Sequence, residues 1–65
     1  MTAKEKFSEV YKKNADRMYQ LKTMAEIAKK QGDLERAREY RAEYIDLKSE
    51  IDTYAMQVIM EGEEI

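Results

Sequence analysis

The chain has no cysteine, no histidine and no proline, and its two glycines are Gly32 and Gly62. Without cysteine there is no disulfide staple and no thiolate chemistry. Without histidine, the usual neutral-pH base and the commonest metal ligand are both missing. Without proline, nothing but Gly32 interrupts the interior of a helical pattern. No apolar run approaches the ~20 residues that span a bilayer. The opening Met-Thr-Ala-Lys-Glu-Lys is charged and lacks the apolar centre of a secretory signal. These absences predict a cytoplasmic protein with no membrane association, no cofactor and no metal.

What is present is regular. Charged residues make up 40% of the chain and hydrophobic ones 43%, too evenly spaced for a disordered segment. The 65 residues allow one domain. A chain so short buries only ~60% of its unfolded surface, and small domains without staples often complete their core by association.

The run Lys29-Lys-Gln-Gly-Asp-Leu-Glu-Arg-Ala37 separates two long helical patterns. Gly32 can take the left-handed conformation that closes a helix. Asp33 can then cap the next one. Lys29 and Lys30 suit the negative end of the first helix, and Glu35 suits the positive start of the second. Thr2-Ala3-Lys4-Glu5 reads as a capping box. The expected layout is a single domain over 1–65: helix 1 at about 3–31, a turn at 32–33, helix 2 at about 34–60, and a frayed acidic tail at 61–65.

Along helix 1, Phe7, Val10, Tyr11, Met18, Leu21, Met24, Ala25 and Ala28 follow steps of three and four and form one stripe. Asn14 lies on that stripe, either as a partly exposed or internally bonded residue or as a polar layer that fixes register. In helix 2, Ala37, Tyr40, Tyr44, Leu47, Ile51, Tyr54 and Val58 alternate the same steps as a heptad seam. The tyrosines of the seam and Tyr11 are expected to pack, and the methionines to fill gaps.

These stripes do not use up the apolar surface. Leu34, Ile45, Ala55, Met56 and Ile59 flank the seam of helix 2, and Ile27 flanks the stripe of helix 1. Two helices make one contact and cannot cover stripes so wide. The expectation is an all-α, two-helix antiparallel hairpin that dimerises into a four-helix bundle. Its hairpin and self-association interface would be the two stripes above, and Ile45, Met56, Ile59 and Met60 would offer a partner surface.

Charge suits a fold-back. Helix 1 carries mostly lysines, and the chain from Asp33 onward is mostly acidic, for a net charge of −2 overall. Exposed pairs of this kind select an arrangement more than they stabilise it. Glu9 with Lys13 and Glu26 with Lys30 have the favourable helical order.

No catalytic set emerges. Ser8 and Ser49 have no histidine partner, and Ser49 and Lys48 are helix neighbours that do not face each other. Glu35, Glu39 and Glu43 share a helix side, which reads as a solvated acidic face. There is no glycine-rich phosphate loop.

Two likenesses bear on the outcome. The run Ala25 to Tyr40, with Ala28, Gly32-Asp33 and Ala37, resembles the turn of a tetratricopeptide repeat. It implies a tight turn. The helices here are about twice the repeat's length, Tyr44 stands where the repeat prefers a small residue, and the closing proline is missing. In length, hairpin plan and acidic tail the chain is similar to the Rop family of plasmid copy-number proteins, dimeric four-helix bundles that bind paired RNA loops. That similarity implies a dimer.

The functional expectation is a non-enzymatic protein–protein interaction module acting as a homodimer: a small adaptor, or a regulator that sequesters an as yet unknown protein partner. The alternative is an RNA- or DNA-binding regulator that uses the basic side of helix 1. There Lys6, Lys13 and Lys30, with Lys12, Lys22 and Lys29, would contact phosphates and Tyr19 would stack on bases.

Overall fold

The computed structural model describes residues 2–62, and it holds two helices packed as an antiparallel hairpin. Helix α1 spans Ala3–Lys30 and helix α2 spans Leu34–Met60. The hairpin measures 45 × 17 × 15 Å. Its length is that of one helix, at about 1.5 Å per residue. The expected fraying of Glu63, Glu64 and Ile65 concerns residues outside the described span, as does any packing of Met1.

Each end of each helix has a local cause. Thr2 is extended, and its Oγ1 accepts a bond from the Glu5 N–H at 3.2 Å, satisfying one free donor of the first turn. Gly32 has φ +79°. The Gly32 N–H meets the Lys29 carbonyl at 3.1 Å, and the angle lets the Asp33 N–H reach back to the Ala28 carbonyl at 2.9 Å. Asp33 then turns its carboxylate onto the start of α2, where Oδ1 accepts from the Arg36 N–H at 3.1 Å. The same residue thus ends one closing bond and begins the next helix. Gly62, at φ +78°, repeats the device after α2, with its N–H on the Ile59 carbonyl at 3.0 Å.

The core is a line between the helices. Val10, Leu21 and Ala28 of α1 and Ala37, Ile51 and Val58 of α2 are buried, Leu21 and Val58 completely. Ala28 and Ala37 flank the turn, where small side chains let the two backbones approach. Phe7, Met18, Met24, Ala25, Tyr40, Tyr44, Leu47 and Tyr54 are half-buried. Tyr11 differs from the sequence reading. It is 53% exposed, because one residue beyond Val10 turns it ~100° away from the partner helix. Its ring leans toward Phe7 instead, with centroids 6.1 Å apart.

Asn14 is the one buried polar side chain among the described residues, at 3% exposure. Its Nδ2 donates across the hairpin to the Leu47 carbonyl at 3.4 Å and to Glu50 Oε1 at 3.2 Å. A slip along α2 would strand this amide without partners, so the bond pair favours one register.

Two substitutions test these points. Gly32→Ala meets no atom within 4 Å, so its cost is conformational alone. It should destabilise the fold by about 1–2 kcal/mol in urea unfolding at fixed protein concentration, and an unchanged midpoint would contradict the turn geometry. Asn14→Leu should stabilise the fold by on the order of 1 kcal/mol while splitting amide resonances into more than one set. A single, well-dispersed set would remove the register role.

Candidate functional site

The two sides of the hairpin are chemically unlike. In an antiparallel pair, the flanks that lie in the same rotational sense from each seam fall on one side. On α1 the sequence Lys4, Ser8, Tyr11, Ala15, Met18, Lys22, Ala25, Lys29 steps by four and three along one flank. On α2 the matching flank is Leu34, Arg38, Arg41, Ile45, Lys48, Asp52, Ala55, Ile59. Shared grooves show that the flanks meet on one side. One of about 380 Å³ is lined by Leu21, Lys22, Ala25, Glu26, Lys29, Arg41 and Tyr44. A second, of about 220 Å³, is lined by Tyr11, Ala15, Met18, Tyr19, Lys22, Tyr44 and Ile51. A third, of about 380 Å³, lies on α1 alone and is lined by Lys4, Phe7, Ser8, Tyr11 and Lys12.

This side is apolar and basic together. Tyr11, Tyr19, Leu34, Ile45, Met56 and Ile59 are all more than half exposed. Between them stand Lys4, Lys22, Lys29, Arg38, Arg41 and Lys48, against one carboxylate on the flank itself, Asp52. Long cationic side chains can lay their methylene stems over apolar neighbours and keep their charge in water. Exposed apolar patches of this extent mark interaction surfaces. Met60, 80% exposed at the end of α2, lies at the edge.

The opposite side is polar and internally paired. Arg17 Nε meets Glu43 Oε2 at 2.7 Å, Asn14 reaches Glu50, and Lys6 Nζ lies 5.7 Å from the centre of the Tyr54 ring. The bond from Arg17 holds the Glu43 carboxyl below its ordinary value, and Glu43 raises Arg17 in return. Both groups are solvent-exposed, so screening keeps the gain small. Ile27, half exposed, stands on this side, one step before Ala28, and so does not extend the apolar surface.

Several sequence expectations are redistributed. Glu9 pairs back to Lys6 at 3.8 Å rather than forward to Lys13. Glu26 lines the large groove with Lys22 and Lys29. The lysines of α1 do not form one basic side: Lys22 and Lys29 join Lys4 on the apolar face, whereas Lys6 and Lys13 fall on the paired one. Ala15 and Arg41, absent from the predicted interface, belong to the apolar face. Their signal was the second step-of-four-and-three row beside each seam.

Among the described residues, no group of three or more carboxylates converges as a cation site would. No helix is long and apolar enough to cross a membrane. Compared with known proteins, the chain matches no family model, no curated sequence and no solved structure.

The Arg17–Glu43 pair has a pH signature. Because the native Glu43 carboxyl titrates low, its contribution is full above the ordinary glutamate value and is lost as the pH falls through the lower native value. Unfolding midpoints followed from neutral pH into acid should therefore fall less steeply for Glu43→Gln than for the natural chain. Identical pH profiles would show that the pair contributes nothing.

Proposed function

We propose that this chain is a non-enzymatic protein–protein interaction module that works as a homodimer, two hairpins laid face to face as a four-helix bundle in the cytoplasm. The supporting observation is the apolar face, with Ile45 and Ile59 more than half exposed and, among the described residues, no other core to place them in. A hairpin face of 45 × 17 Å would bury on the order of 800 Å² per partner, the size of a standard stable interface. Met56 and Met60 lie at the rim, where flexible thioether side chains suit an adaptor or sequestering surface that must fit a further protein. The lack of histidine and cysteine argues against an enzyme.

A second reading draws on a specific observation. Tyr11 and Tyr19 are exposed beside Lys4, Lys12 and Lys22 in adjoining grooves, the pairing of rings and cations that single-stranded nucleic acid uses. On this reading the same face binds RNA or DNA.

Sedimentation equilibrium and a salt titration separate the two. A mass near twice the 7.7 kDa chain is expected, with Ile45→Glu returning the protein to monomer while its helicity persists. A concentration-independent, fully helical monomer would refute the module as proposed. Binding of labelled single-stranded RNA that weakens steeply between low and physiological salt would favour the second reading, and no binding at low salt would remove it.

A further inference from the structure

The apolar flank of α2 is symmetric in spacing about a point between Asp46 and Leu47, which pairs Arg38 with Ala55 and Ile45 with Lys48. Leu34 and Ile59 stand equally far from that point on either side, and so do Arg41 and Asp52. All four are exposed. Two copies of α2 crossed antiparallel over this point would bring each Arg41 onto Asp52 of the other copy, and each Leu34 onto its Ile59. Ile45 would sit next to the axis. Helix α1 agrees in outline: Tyr11 and Ala25 are balanced about Met18, so a large side chain on one copy meets a small one on the other.

The alternative face-to-face arrangement puts both turns at the same end. It would lay Lys22, Lys29, Arg38 and Arg41 of one copy against the same cations of the other, with Glu26 the one acid in the groove that Lys22, Lys29 and Arg41 line. Like charges brought together in this way oppose association. The antiparallel arrangement instead sets Arg41 against Asp52 and Arg38 against Ala55 of the second copy.

Resting on the dimer reading above, we infer that the two hairpins pack with their turns at opposite ends, and that reciprocal Arg41–Asp52 pairs select this orientation. The contact is isologous, so each pair occurs twice. Within one chain Asp52 already holds Lys48 at 3.4 Å, and Arg41 of the second copy joins that cluster.

Charge reversal tests the pairing. Arg41→Asp alone faces Asp52 with a like charge, and Asp52→Arg alone faces Arg41 with one. Each variant should dimerise at least tenfold more weakly than the natural chain by sedimentation, with unchanged helical circular dichroism. Mixed in equal amounts, the two variants complement each other at both contacts and should regain the dimer mass. Dimers of natural strength from either single variant, or a mixture that stays monomeric while the natural chain dimerises, would overturn the pairing. Because the chain has no cysteine, Gln31→Cys carries a single spin label at the turn. Its distance to the label on the second copy should approach the 45 Å length of the hairpin. A separation of roughly one helix spacing, ~10 Å, would overturn the orientation while leaving the dimer standing. A monomer mass for the natural chain would instead remove the reading on which the orientation rests.

Discussion

Two rods joined at one end share a single line of contact, and that line limits what each helix can hide. A helix flanked by one neighbour buries little beyond the residues aimed at it. Leu21 and Val58 are accordingly the large side chains with no exposure, whereas Tyr40, Tyr44 and Tyr54, on the same seam, remain half open. Packing between the helices is therefore thin, and the residues just outside the line decide what else the molecule does.

Those flanking residues are sorted by chemistry. On one side Asn14, Arg17 and Lys6 reach across to Glu50, Glu43 and the Tyr54 ring, so the hairpin satisfies itself there. On the other side the flanks are apolar and cationic, with Asp52 on the α2 flank and Glu26 lining the groove. The polar side orients the two helices. Among the described residues, nothing packs on the apolar side. A surface of that kind lowers its free energy by finding a partner, and the dimer proposed above would supply one.

The parts readable from the sequence share one property: they depend on local spacing. Gly32 and Asp33 marked the turn because a positive φ and a cap are needs of adjacent residues. The seam from Ala37 to Val58 was readable because the helical period places those residues on one line whatever they touch. Tyr11 and Ile27 were harder. Each lies next to a buried residue, and spacing gives the angle at which it projects but not where coverage by the neighbour stops. The ion pairs illustrate the same limit. Glu9 had a lysine on either side, and the choice of Lys6 over Lys13 was not written in the helical order. Arg17 and Glu43 are far apart in the chain, so their 2.7 Å contact follows from the register of the hairpin.

By itself, the order of residues determined that there would be two helices, where the chain would reverse, and, Tyr11 apart, which side chains would line the contact. Each of these is set within a few turns of backbone, where hydrogen bonding and helical period act. Only the tertiary structure decided that the apolar flanks of both helices open on the same side and that the lysines divide between two sides. It also decided that Asn14 is satisfied by Leu47 and Glu50. The physical reason is that the sidedness of a pair depends on the rotation of one helix relative to the other about the contact line. Neither helix carries that angle in its own sequence.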